Sequence, residues 1–128
     1  MKFYTFFLGL ALTCTGLAQS ATNLTLNDTP TPIASSVIYE VNVRQFSKEG
    51  TFVEVQKALP RLKAMGVDIL WLMPINPIGV KNRKGSLGSY YAVRDYKGIN
   101  PEFGTLSDFK SLVNSAHNQG IRLIIDWV

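Results

Sequence analysis

The residues best placed for chemistry lie in Gly88-Ser-Tyr-Tyr-Ala-Val-Arg-Asp-Tyr-Lys-Gly-Ile-Asn-Pro-Glu-Phe-Gly104. This stretch has neither strand nor helix periodicity. Its glycines, Asn100-Pro101 and its aromatics Tyr90, Tyr91, Tyr96 and Phe103 predict a long ordered loop, a type of segment that usually carries function. Polar residues recur where predicted strands end: Asn42, Arg44, Asn76 and Asp126. Asp95 reads as a hydrogen-bonding partner inside the loop. Glu40 and Asp126 do not make a credible catalytic pair from the sequence. His117 is the lone histidine, and it falls near the end of a predicted helix, at the opposite end from those polar residues, so a structural role is expected. The small basic cluster Lys81, Arg83 and Lys84 reads as a solvated turn. A nucleic-acid binder would show a basic stripe or helix face instead, so no nucleic-acid partner is expected.

Three strands and two helices must position these residues. Val37, Tyr39, Val41 and Val43 alternate with Ile38, Glu40, Asn42 and Arg44, predicting a strand with one face apolar and the other turning polar. Thr51-Phe-Val-Glu54 has the form of a capping box. Phe52, Val55, Leu59, Leu62 and Met65 follow at helical spacing, with Pro60 predicting a kink and Gly66 a left-handed stop. Val67 to Ile75 is nearly continuous apolar sequence, as in a parallel strand covered on both faces. After the loop, Thr105-Leu-Ser-Asp108 repeats the capping pattern, Leu106, Phe109, Leu112, Val113 and Ala116 form a second stripe, and Gly120 closes it. Ile121 to Val128 is a third strand, with Ile121, Leu123, Ile125 and Trp127 on one side and Arg122, Ile124, Asp126 and Val128 on the other. Trp71 and Trp127 are expected in the core, and Tyr90 and Tyr96 as packing residues.

The order β-α-β-loop-α-β predicts a parallel sheet with helical crossovers. No glycine-rich phosphate loop follows either of the first two strands, which argues against a nucleotide-binding sheet. Polar residues at the C-terminal strand ends favour an eight-stranded barrel with its site at that face. Three strands alone would leave two open edges, so the sequence reads as part of a larger enzyme.

Residues 1–18 have a charged start, a short apolar core and small residues near a cleavage point, which describes a signal peptide. Residues 19–35 read as a Thr-, Ser- and Pro-containing linker. The expected destination is secreted or periplasmic, with no membrane span. Ala11-Leu-Thr13 is a poor lipobox, so no lipid anchor is expected at Cys14, the sole cysteine; the mature chain then has no disulfide. A hydrophobic content of 46% with 17% charged residues places the chain among globular proteins and away from disordered ones.

Four segments in this order resemble the α-amylase family, glycoside hydrolase family 13. They are Val37-Ile-Tyr-Glu-Val-Asn-Val-Arg-Gln-Phe46, Leu59-Pro-Arg-Leu-Lys-Ala-Met-Gly-Val-Asp-Ile-Leu-Trp-Leu-Met-Pro-Ile75, Tyr91-Ala-Val-Arg-Asp-Tyr96 running on to Ile99-Asn-Pro-Glu-Phe-Gly-Thr105, and Ala116-His-Asn-Gln-Gly-Ile-Arg-Leu-Ile-Ile-Asp-Trp-Val128. The resemblance implies that residues 36–128 are the N-terminal part of a (β/α)8 TIM barrel, an α/β fold of which the first three strands and two helices are present. It implies a retaining glycoside hydrolase acting on α-glucans such as starch or maltodextrin, by the two-carboxylate scheme. Those carboxylates sit on later strands in the family, so no catalytic residue is assignable here, and the chain alone is expected to be inactive. The resemblance assigns substrate binding to Tyr91, whose ring would stack under the sugar, and to Asp126, which opens the family's Asp-x-Val-x-Asn-His motif. That motif stops here at Asp126-Trp-Val128. The resemblance allows calcium in the full-length protein, but Ser47-Lys-Glu-Gly50 lacks the Asp-rich calcium loop of some members and no metal ligand is assignable. A non-catalytic α-glucan-binding relative and a transglycosylase of the same family are the alternatives.

Overall fold

The computed structural model describes residues 32–128. The leader, Cys14 and most of the linker lie outside the described residues. A 3-10 turn, Ile33–Ser35, precedes strand β1 (Ile38–Val41) and a single-turn helix α1 (Val43–Phe46). Helix α2 (Phe52–Ala64), strand β2 (Ile69–Leu72), helix α3 (Leu106–Asn118) and strand β3 (Arg122–Ile125) follow. The three strands form one parallel sheet in the order β1-β2-β3.

The register sets which side chains share a face. Tyr39, Leu70 and Leu123 are level, as are Val41, Leu72 and Ile125, and these two rows face the helices. Val41, Leu70 and Leu72 are sealed there together with Phe52, Val55, Leu59 and Leu62 of α2 and Leu112 and Ala116 of α3. Each large apolar side chain so buried contributes about 1.5–3 kcal/mol. Phe52 anchors this layer, with its ring edge-on to Phe103 at 5.9 Å and tilted against Phe109 at 5.4 Å. The opposite face carries the rows Ile38, Ile69, Arg122 and Glu40, Trp71, Ile124, of which Ile38, Glu40 and Ile124 are exposed.

Both long helices end in the same motif. The Gly66 amide bonds the Lys63 carbonyl and Val67 that of Leu62; Gly120 bonds His117 and Ile121 bonds Ala116. Gly66 and Gly120 take the positive φ this motif needs, 87° and 66°. Each leads directly into a strand, as βα units require.

Four expectations need correction. The first strand ends at Val41, and Val43 and Arg44 belong to α1; the alternation continues in the sequence, but at Asn42 the chain turns into a helix. Thr51 precedes α2 as predicted, yet its side chain makes no capping bond. Glu54 is instead bound by Lys57 at 2.6 Å, and the Phe52 amide donates to the Phe103 carbonyl at 2.9 Å. Neither tryptophan is core: Trp71 is half-buried on the sheet face away from the helices, and Trp127, beyond the end of β3, is 66% exposed. Met65 and Leu106, the outer members of the two helical stripes, are exposed at the helix ends. Helix α2 runs through Pro60 as one element.

The capping box at α3 is complete. The Asp108 amide donates to Thr105 Oγ1 at 3.2 Å, and the Thr105 amide and hydroxyl donate to Asp108 Oδ2 at 2.8 and 2.6 Å. Replacing Thr105 by alanine therefore lowers stability by about 1 kcal/mol, whereas Thr51→Ala changes it by only a few tenths. Urea unfolding of the two variants checks the ordering. The bonds from the Thr105 side chain and then its amide hold the Asp108 carboxyl below its ordinary pKa. A depressed carboxyl contributes stability above its unfolded-state pKa and loses it as pH falls through the folded-state value. Asp108→Asn should therefore flatten part of the acid limb of a stability–pH profile, and an unchanged acid limb would contradict this.

Candidate functional site

Parallel strands all finish at one edge of the sheet. The ladder continues past the strands there: the Met73 amide donates to the Val41 carbonyl at 2.9 Å and the Asp126 amide to the Leu72 carbonyl at 2.8 Å. Asn42, Met73 and Asp126 thus stand level at the C-terminal edge. The connection between β2 and α3 returns to this edge and lies along it.

That connection is ordered mainly by polar bonds rather than by regular structure. The Asn100 amide donates to the Ile75 carbonyl and the Arg94 amide to that of Pro77, both at 2.8 Å. Ile78 and Val93 form an isolated antiparallel bridge. Asn76, 6% exposed, donates its side-chain amide to the carbonyls of Tyr96 and Gly98 at 3.2 and 3.1 Å. The Arg83 guanidinium closes the turn by donating to the carbonyls of Gly79, Ser86 and Ile78. Arg83 is therefore a structural residue, while Lys81 and Lys84 are exposed as expected of a solvated turn. Asp95 accepts from the Lys97 amide at 2.9 Å, the local role predicted for it.

Tyr91 and Asp126, the two residues singled out in the sequence, meet. The Tyr91 phenol donates to Asp126 Oδ2 at 2.9 Å. Tyr91 is 45% exposed, so its ring stays open to solvent while its hydroxyl is held. Its phenol is pushed above the ordinary tyrosine pKa, first by the bond to Asp126, then by partial burial, and further by the charges of Asp126 and Glu40. Glu40 therefore acts on this site as well, although it makes no credible pair with Asp126. It stands in the row below Asp126 on the same sheet face, and only the register could have revealed that.

Neighbouring aromatics divide in role. Tyr90 is half-buried against the core, with the Arg44 guanidinium 4.7 Å from its ring centroid. Tyr96 is 46% exposed, tilts against Trp127 at 5.1 Å and donates its hydroxyl to the Val128 carbonyl at 2.7 Å. His117 is exposed on α3, near the end of that helix that leads into the start of β3, away from the site. The Asn42 side-chain oxygen and the Asn100 side-chain nitrogen are buried without a hydrogen-bond partner among the described residues. No group of three or more His, Cys, Asp or Glu that could hold a metal ion occurs among the described residues, so the structure identifies no set of residues for calcium. No helix among the described residues is long and apolar enough to cross a membrane.

Comparison with known proteins places the fold. A family profile described as "Alpha amylase, catalytic domain" matches residues 22–128, beginning within the stretch read as a linker. An alpha-amylase from Lactobacillus plantarum shares 56% identity over 71% of this chain and 22% of its own, with a TM-score of 0.70. A noncanonic maltogenic alpha-amylase from Thermotoga neapolitana shares 45% identity over the same proportions, with a TM-score of 0.68. A trehalose synthase from Pimelobacter sp. (strain R48) is 38% identical over 115 residues, 84% of this chain and 19% of that protein. The chain thus spans about a fifth of the length of these relatives, and its three parallel strands with their helices form part of a TIM barrel.

The causes of the raised Tyr91 pKa set an order of effects. Asp126→Ala removes the acceptor and should return the Tyr91 phenol toward an ordinary titration, while Glu40→Gln should lower it only slightly. Carbon-13 NMR of labelled tyrosines through the alkaline range reads both. Equal shifts from the two variants would show that the bond to Asp126 is not the main cause.

Proposed function

The chain belongs to the alpha-amylase catalytic-domain family, and on that premise we propose that it is the N-terminal part of a catalytic barrel that acts on α-glucans. The observation that carries this reading is the bond between Tyr91 and Asp126 at the C-terminal edge of a parallel sheet, where barrel enzymes keep their sites. Held by its hydroxyl and open on its ring, Tyr91 offers an apolar platform to the C–H face of a glucose unit. Asp126 fixes that ring and keeps a second acceptor oxygen for substrate hydroxyls. Both residues bind and orient; neither cleaves. In the two-carboxylate scheme of retaining glycosidases, a nucleophile and an acid–base group perform the cleavage. By the family resemblance both lie on strands after β3, so residues 1–128 alone do not hydrolyse.

Hydrolysis is the first reading because the two alpha-amylase structures share 56% and 45% identity with the chain. A transglycosylating or isomerising activity is the second, favoured by the trehalose synthase and by the 1,4-glucan:maltose-1-phosphate maltosyltransferases among the relatives, one of them from Chlorobaculum tepidum at 37% identity. The signal-peptide pattern of residues 1–18 supports a secreted or periplasmic destination. A role for calcium in the complete protein rests on the family resemblance alone.

Incubating the complete protein with starch and following reducing ends tests the first reading. Release of reducing sugar supports hydrolysis. Chromatography showing new glucan chain lengths or a non-reducing disaccharide, without net release, would replace it with the second. The absence of either product, together with retained maltoheptaose binding, would leave a glucan-binding protein without catalysis. A Tyr91→Ala variant should weaken maltoheptaose binding about tenfold, corresponding to about 1.4 kcal/mol of lost contact.

A further inference from the structure

Tyr91 is held on one side by the backbone that follows it. The Gly79 amide donates to the Ala92 carbonyl at 2.7 Å, and Val93 bridges Ile78. On the other side a single cation gathers the chain. The Arg44 guanidinium donates through Nε and Nη2 to Glu102 Oε2 at 3.2 and 2.8 Å. Nη2 also donates to the Leu87 carbonyl at 3.4 Å. The same group lies over the Tyr90 ring, 4.7 Å from its centroid. One side chain therefore connects helix α1 to the approach to Tyr91, to its immediate neighbour and to the far end of the loop. The Arg44 side chain is only 15% exposed while that of Glu102 is 45% exposed, so solvent screens the pair from the Glu102 side and the shielded part of the clamp is the guanidinium on Tyr90.

A planar guanidinium suits this position in a way an ammonium does not. It stacks flat on an aromatic face while its edge donates in fixed directions. Movement of Tyr90 off that plane would carry the Tyr91 backbone with it. The phenol of Tyr91 reaches Asp126 only while that backbone stays in place.

We propose that Arg44 is a positioning residue for Tyr91: by clamping Tyr90, Leu87 and Glu102 it sets the orientation in which the Tyr91 hydroxyl meets Asp126 and its ring lies open to a glucan. The consequence for glucan binding rests on the reading of Tyr91 as the sugar platform; the positioning itself does not.

Two readouts separate these claims. Tyrosines of the complete protein are labelled with carbon-13 at the ring Cζ, and the Tyr91 signal is identified by its loss in Tyr91→Phe. In Arg44→Met the Tyr91 titration should fall toward that of an ordinary phenol, and maltoheptaose affinity should drop about tenfold. Arg44→Lys keeps a cation beside Tyr90 and one donor to Glu102, so it should restore part of both. Tyr90→Leu leaves the Arg44–Glu102 pair intact but removes the stacked ring, and it should repeat the Arg44→Met shift. An Arg44→Met protein that folds with the Tyr91 titration unchanged overturns the proposal. If that variant does not fold, an unchanged titration in Tyr90→Leu overturns it. Undiminished maltoheptaose binding by Tyr91→Ala would instead sink the sugar-platform reading, with the titration still deciding the role of Arg44.

Discussion

Parallel pairing is the constraint on which the rest of this structure depends. A crossover through a helix returns the chain to the edge it started from, so every strand leaves the sheet on the same side. Here that edge ends in Asn42, Met73 and Asp126, brought level by the amide bonds of Met73 and Asp126 to the preceding strands. Helices α2 and α3 cover one face with Phe52, Leu59, Leu62 and Leu112. The long connection after β2 is left to lie along the strand ends. Tyr91 meets Asp126 there because topology delivers both to one place, although neither is close to the other in sequence.

A connection of that length without regular structure must offset a large conformational entropy, about 1–2 kcal/mol for each residue fixed. It does so with side chains that donate to backbone carbonyls. Asn76 supplies two such bonds and Arg83 three. Each such bond contributes about 0.5–1.5 kcal/mol net, so these bonds alone are not enough. The buried anchors Ile78 and Phe103 supply apolar area as well. Arg44 adds a link of another kind, binding a carboxylate, a carbonyl and a ring face together. The loop is thus tied down at Tyr90 by Arg44 and at Tyr96 and Gly98 by Asn76.

Much of the fold was legible in the sequence. The period-two and period-3.6 patterns located three strands and two long helices, and glycines marked both helix ends. The failures are local patterns overridden by tertiary partners. Alternation predicted strand through Val43, but the chain turns at Asn42. Thr51-Phe-Val-Glu54 matched a capping box, yet Lys57 claimed Glu54 and the Phe103 carbonyl took the Phe52 amide. The identically spaced Thr105-Leu-Ser-Asp108 did close, so the motif names a possibility that the surroundings then decide. At the site, Tyr91 and Asp126 came from the family resemblance. The stacking of Arg44 on Tyr90 left no trace in sequence, because a contact between distant residues has no local signature.

The sheet face that carries Asp126 sets a further condition. Below the edge, Glu40 is level with Trp71 and Ile124, and the row beneath holds Ile38, Ile69 and Arg122. Arg122 donates to Ser36 Oγ at 2.7 Å, at the far end of the sheet from Asp126. Glu40 stands at the β1 edge of its row, beside Trp71, and is exposed; a carboxylate covered at that place would cost several kcal/mol unless it were paired or hydrogen-bonded, on the order of the penalties for buried charges. Strands that covered Glu40 would therefore need to bring a donor or a cation to its level, one row beneath Asp126. The field of Glu40 already reaches the Tyr91 phenol. A group that neutralised Glu40 would weaken that influence and leave Asp126 as the acceptor that holds Tyr91 in place.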